Sequence, residues 1–153
     1  QMQVVAIVPV IKETLHLMQP RFKQGNIRLV ENHEQENFRL KADPDMIKQV
    51  VMNLVLNAVE SMKQEGILTL STSITSDDAD DKFFLIAISD TGSGIPDDIK
   101  DSLFDPFVKG KDQGIGLGLS ISLRIAELHH GWISATNNSG KGATFTVHLP
   151  MKS

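Results

Sequence analysis

Gln49-Val50-Val51-Met52-Asn53-Leu54-Val55-Leu56-Asn57-Ala58 is the stretch on which the reading of this chain turns. At about 100° per residue, Met46, Val50, Leu54, Ala58 and Met62 fall on one apolar stripe, so the segment is read as an amphipathic helix. Its start is marked by Asp43-Pro44-Asp45: Asp43 caps free N–H groups and Pro44 suits the first helical position. It runs to about residue 64, and Gly66 ends it. Asn53 and Asn57 lie one turn apart at the edge of the stripe, where a side chain looks into a cleft rather than into core or bulk water. Taken alone, the pair also reads as two polar residues on an exposed helix face.

On the amino-terminal side, residues 7–23 read as a helix, with Ile7, Ile11, Leu15 and Met18 near helical spacing and Pro9 in the first turn. Residues 27–31 and 37–42 alternate as strands. On the carboxyl side, residues 67–75 alternate, and residues 83–89 are apolar on both faces, as in a central strand. Between these two lie Asp77, Asp78, Asp80 and Asp81, read as a solvated hairpin tip rather than a cation site. Residues 97–103 suggest a short helix and residues 105–114 a mobile loop. Residues 117–129 form a further amphipathic helix, with Leu117, Ile121, Ile125 and Leu128 on one side. Residues 132–136 and 144–149 close the chain as strands. The pattern is an α/β (α+β) two-layer sandwich: a mixed, mostly antiparallel sheet covered on one face by about three helices.

The bulk properties narrow the function classes. The 153 residues fit one domain, and the net charge of −4 argues against a general nucleic-acid surface. The chain has no Cys, which removes disulfides and thiolate metal sites and suits a cytoplasmic location. No apolar run approaches the roughly 18 residues of a membrane span. The chain opens abruptly at Gln1 without a signal pattern, so it reads as a fragment of something longer.

Three glycine clusters follow the asparagine helix in order. In Asp90-Thr91-Gly92-Ser93-Gly94-Ile95-Pro96, the acid ends an apolar strand, and the glycines permit tight turning and close approach of a flat ligand. A carboxylate fixed at a strand end can accept a hydrogen bond from an exocyclic amine such as that of adenine, whereas guanine presents a carbonyl there. Asp-Thr-Gly also marks aspartic proteases, but that chemistry needs two such acids sharing a proton, and one copy is present. In Gly114-Ile115-Gly116-Leu117-Gly118-Leu119, glycines open a helix whose free N–H groups face an anion. Dinucleotide folds use a similar device but need a strand directly before it. Gly140-Lys141-Gly142-Ala143-Thr144-Phe145, taken alone, is an ordinary hairpin.

Together and in this order, the four segments resemble the catalytic and ATP-binding domain of sensor histidine kinases, the Bergerat-type ATP-binding fold shared with gyrase, MutL and the large heat-shock chaperone. The resemblance spans about residues 7–149 and implies ATP and Mg²⁺ as ligands. It assigns Mg²⁺ to Asn57, whose amide oxygen is a hard, neutral donor of the kind Mg²⁺ accepts beside water and phosphate. Asn53 is its companion. Asp90 selects adenine, with Gly92, Gly94 and Ile95 around the base. Leu103-Phe104-Asp105-Pro106-Phe107 matches the family's phenylalanine box, with Phe107 anchoring the loop over the nucleotide. Lys109 and, by preference, Lys111 reach the phosphates. Gly114, Gly116 and Gly118 bring backbone amides to them, with Leu117 and Leu119 packed beneath. Thr144 joins the floor of the adenine pocket.

The resemblance also defines what the chain lacks. Hydrolytic relatives carry a Glu base one turn before the metal-binding Asn; here Asn53 stands in its place, and an amide cannot take a proton. Phosphoryl transfer needs chiefly positioning and charge neutralisation. The nucleophile is then a histidine on a dimerisation hairpin, expected upstream, and no catalytic residue is assigned within residues 1–153. His33-Glu34 lies between strand-like segments and does not match that hairpin. The implied partners are the hairpin of the same protein and a downstream response regulator. Two other readings are an anti-sigma-factor-type serine kinase and a nucleotide-sensing module without transfer activity.

Overall fold

A computed structural model describes residues 1–98, 103 and 115–151. The asparagine helix, α3, occupies Pro44–Ser61. Asp43 caps it as the sequence implies: its Oδ1 accepts the amides of Asp45 at 3.0 Å and Met46 at 3.2 Å. Ile47, Val50, Val51, Leu54, Val55 and Ala58 are buried on one side of the helix. Asn57 is buried with them, at 5% exposure, and so sits deeper than the edge position suggested. Ser61 closes the helix a few residues before Gly66.

The helix packs on a five-stranded sheet of order β2-β4-β5-β7-β6. Its strands are β2 (Ile27–His33), β4 (Gly66–Ser76), β5 (Lys82–Ser89), β6 (Trp132–Asn137) and β7 (Ala143–Pro150). β2 and β4 pair in parallel, and the other neighbours are antiparallel, so the sheet is mixed and mostly antiparallel. The strand read as central, β5, lies between β4 and β7. Leu68 and Leu70 of β4, Phe84, Ile86 and Ile88 of β5, and Phe145, Val147 and Leu149 of β7 are buried together beneath the helices. This alternation is the period-2 pattern of the sequence made physical: one face meets the helices and the other does not. The acidic hairpin between β4 and β5 closes on itself, with Asp77 Oδ1 accepting the amides of Ala79 and Asp81 at 3.0 and 2.9 Å.

Three features depart from the expectation. The first helix is broken at Met18 into α1 (Ile7–Leu17) and α2 (Gln19–Gln24), so four helices rather than three stand among the described residues. A short strand, β1 (Gln3–Ala6), pairs antiparallel with β3 (Arg39–Ala42) as a separate two-stranded sheet. The last helix, α4 (Ile115–Leu128), is turned about its axis relative to the expected stripe. Leu119, Ser122, Ile125 and Ala126 are buried, whereas Ile121 and Leu128 are exposed. His129, directly after α4, is buried and joins the end of that helix to the start of α3: its Nε2 accepts the Asp43 amide at 3.0 Å. Among the described residues, no helix is long and apolar enough to cross a membrane.

The uncovered face of the sheet carries the chain's single tryptophan. Trp132 stacks on His148, with ring centroids 4.4 Å apart, and meets Phe83 edge-on. His148 also lies 2.9 Å from the Ser134 hydroxyl. Burial disfavours the imidazolium and holds the His148 pKa below its ordinary value of 6.5. The folded state therefore favours neutral imidazole. The associated stability is present above the unfolded value and is lost as pH falls through the folded one. An imidazolium stacked on indole quenches its emission. Tryptophan fluorescence of the folded protein should then drop along a titration centred below pH 6.5, and His148→Gln should abolish the step. A midpoint at or above the ordinary imidazole value contradicts this account.

Candidate nucleotide-binding site

The end of β5 delivers Asp90 to the edge of the core at 2% exposure. A carboxylate so placed needs hydrogen bonds to offset its lost hydration. Its Oδ1 accepts the amides of Gly92 at 2.9 Å and Ala143 at 3.3 Å. The Asp90 amide in turn donates to the Ala143 carbonyl at 2.9 Å. The carboxyl plane is thus fixed from two directions, by its own loop and by the start of β7.

Two close approaches make this possible. Gly142 adopts φ +87°, and a Cβ there would stand 2.0 Å from the Asp90 carbonyl oxygen. Gly92 lies against the end of α3, where a Cβ would stand 2.3 Å from Ser61 Oγ. Any larger residue would push the loop off the helix. Thr91 secures the same loop to β4 by accepting the Ile67 amide at 3.0 Å. Ile95 is buried at the end of the loop.

On the helix side, Asn53 Nδ2 donates to the Gly118 carbonyl at 3.4 Å, so the companion asparagine touches the first turns of α4. Asn57 follows one turn later on α3. The structure therefore groups Asn53 with Gly118, and Asp90 with Gly92 against the end of α3. Leu119, in the first turns of α4, is buried. Gly116 and Leu117 belong to α4. Phe107, Lys109, Lys111 and Gly114 lie outside the described residues.

Thr144 is placed differently from the expectation. It pairs with Ser89 across β5 and β7, while Ile88 and Phe145, one residue away, point into the core. Thr144 and Ser89 therefore share the face away from the helices. The Thr144 hydroxyl donates to Asn138 Oδ1 at 2.6 Å and lies 3.0 Å from Ser89 Oγ. It braces the β6–β7 turn instead of lining the cleft, and its backbone neighbour Ala143 meets Asp90. The sequence reading passed over Ala143, Ser61 and the asparagines of that turn. Asn137-Asn138 before a Gly-rich segment carries only a turn signal in sequence.

The fit of a magnesium-bound nucleotide rests on this donor set. Among the described residues, no three His, Cys, Asp or Glu side chains gather as a metal cage. Mg²⁺ binding a nucleotide does not need one, because phosphate and water fill most of its octahedron. The neutral amide of Asn57, one turn after the asparagine that meets Gly118, has the donor chemistry for that arrangement.

Residues 42–153 match the family model described as histidine kinase-, DNA gyrase B- and HSP90-like ATPase. The chain belongs to this family. Within this ATPase family, the similarity is to kinases. The signal transduction histidine-protein kinase AtoS of Escherichia coli strain K12 is 35% identical over 99% of the chain. The chain spans 24% of the length of AtoS. Among solved structures, the catalytic domain of histidine kinase ThkA superimposes with a TM-score of 0.87 at 29% identity, covering 99% of this chain and 96% of that one. A complex of ThkA with the response regulator protein TrrA contains the same fold, with a TM-score of 0.82 at 26% identity over 99% of this chain and 42% of the ThkA chain.

Proposed function

We propose that this chain is a single catalytic domain that binds Mg²⁺-ATP and presents the γ-phosphoryl group to a histidine on a separate dimerisation hairpin of the same protein. The phosphoryl group then passes to an aspartate of a response regulator. The reading is supported by the company AtoS and ThkA provide. Its main structural support is the buried carboxylate of Asp90, with Oδ1 tied to two backbone amides and its loop packed against the end of α3.

In this reading Asp90 accepts the adenine amine, and Gly92, Gly94 and Ile95 shape the space around the base. Asn57 offers its amide oxygen to the metal, and Asn53 holds the adjoining turn of α4. Asn57 would hold the ion there, and the chemistry it would supply is charge compensation for the phosphates. Gly114, Gly116 and Gly118 let phosphates approach helix-start amides, and Lys109 or Lys111 adds a point charge. The domain supplies position and charge compensation, and the attacking nitrogen comes from elsewhere. The histidine nitrogen bonds to the γ-phosphorus as its bond to the β,γ-bridging oxygen breaks, and ADP leaves with that oxygen. Asn53 cannot act as a base towards water, so hydrolysis stays slow in the absence of the acceptor. The domain works on the cytoplasmic side, where ATP and the regulator are found.

The test is calorimetric. Wild-type protein should bind ATP at least several-fold more tightly with Mg²⁺ than with a chelator. Asn57→Ala should bind with the same affinity in both, because it loses the metal-dependent part, of the order of tenfold. Addition of the dimerisation hairpin and labelled ATP should yield acid-labile label on histidine. Absence of saturable ATP uptake in the presence of Mg²⁺ overturns the proposal.

A further inference from the structure

The β6–β7 turn holds an arrangement that the site as described leaves unused. Asn137 reaches across a sequence separation of 42 residues to Ile95 and binds its peptide groups on both sides. Its Oδ1 accepts the Ile95 amide at 2.7 Å, and its Nδ2 donates to the Ile95 carbonyl at 3.1 Å. The fit is close: Gly94 has φ +83°, and a Cβ there would stand 2.9 Å from Asn137 Oδ1. Asn138 secures the other end of the loop. Its Nδ2 donates to the Asp90 carbonyl at 3.0 Å and lies 3.2 Å from both Ser89 Oγ and the Lys141 carbonyl. Its own amide donates to the Gly142 carbonyl at 2.9 Å.

We infer that Asn137 is a positioning residue for base selection. Its side chain locks the loop of residues 91–95 against the β6–β7 turn, and so sets where the Asp90 carboxylate stands. This rests on the nucleotide-binding reading given above. Discrimination between adenine and guanine depends on one carboxylate oxygen meeting an amine and refusing a carbonyl. That contrast is sharp only if the oxygen holds its place to about half an ångström. Two of the bonds that define its place come from the Gly92 and Ala143 amides, one on each side of the junction that Asn137 clamps. Without the clamp, Ile95 is released and the loop shifts with Gly92. The carboxylate then follows Gly92 away from its setting.

A side chain that merely stabilises the fold would weaken all nucleotides alike. A positioning residue changes their ratio. The experiment measures ATP and GTP affinities by calorimetry for wild type, Asn137→Ala, Asn137→Asp and the stability control Ile133→Val, which lies in the same strand. For Asn137→Ala, ATP affinity should fall about tenfold while GTP affinity changes little, so the ATP:GTP ratio narrows by a similar factor. Asn137→Asp keeps an acceptor for the Ile95 amide and loses the donor, so its ratio should fall between the two. Ile133→Val should lower the melting temperature and leave the ratio unchanged. Hydrogen exchange at the Ile95 amide should quicken in Asn137→Ala. An unchanged ratio in Asn137→Ala overturns the inference, as does equal weakening of both nucleotides. If Asn137→Ala does not fold, an unchanged ratio in Asn137→Asp has the same force. Failure of the wild type to bind ATP would instead remove the nucleotide reading itself.

Discussion

Asp90→Asn should lower ATP affinity by about 100-fold, equivalent to about 2.7 kcal/mol, with little change in melting temperature. The substitution keeps size and shape, so the packing around this nearly buried position survives. The amide has one acceptor oxygen and one donor group. If the oxygen stays with the amides of Gly92 and Ala143, the NH₂ group turns towards the exocyclic amine of adenine, and two donors face each other. If the side chain flips, the base regains an acceptor, but the two backbone amides lose theirs. Either arrangement strands buried donors. GTP should gain relative to ATP, because its carbonyl now meets a donor in the first arrangement. Unchanged ATP affinity by calorimetry would remove Asp90 from base recognition.

Gly142→Ala should produce the largest loss of stability of any single methyl addition in the site. Its φ of +87° is a region that side chains rarely adopt, costing about 1–2 kcal/mol. The added carbon would also stand 2.0 Å from the Asp90 carbonyl oxygen, so strand β7 or the loop must move. Overpacking of this kind costs about 1–3 kcal/mol more. Together these predict a fall in melting temperature of about 10 °C for a chain of this size. Where protein remains folded, ATP binding should still be lost, because the displaced atom belongs to the residue proposed to recognise the base. Gly140→Ala is the internal control. A Cβ there meets nothing within 4 Å, and its effect on melting should be small. Equal melting of the two variants would show that the turn tolerates rearrangement and would dissolve this account of Gly142.

Sequence periodicity revealed α3 and its cap because that helix is long, its buried positions recur at helical spacing, and Asp43-Pro44 has a local physical meaning. The central position of β5 was equally visible, since its apolar run matches burial among neighbours. The orientation of α4 was not. Its apolar residues ring the helix closely enough to support more than one stripe, and only contact with α3 and the sheet decides between them. Thr144 shows the same limit at finer scale: the glycine box places it near Asp90 along the chain, but strand alternation turns its side chain to the opposite face. β1 is too short to carry a pattern of its own and exists through its pairing with β3. The Asn137 clamp joins two segments that no local rule connects. Of the candidate site, then, the asparagines on α3, the acid at the strand end and the glycine clusters were visible in the sequence as the proposed nucleotide set. The parts that hold them in register were not.

Among the described residues, β2 and β4 form the one parallel pair, and the chain between them comprises β3 and α3. Parallel strands cannot be joined by a tight turn, so this ladder closes only after the intervening segment has folded back across the sheet. The segment that must make that journey carries Asn53 and Asn57. Pairing along this edge of the sheet is therefore tied to the crossover that carries both asparagines, the side chains proposed to meet the nucleotide.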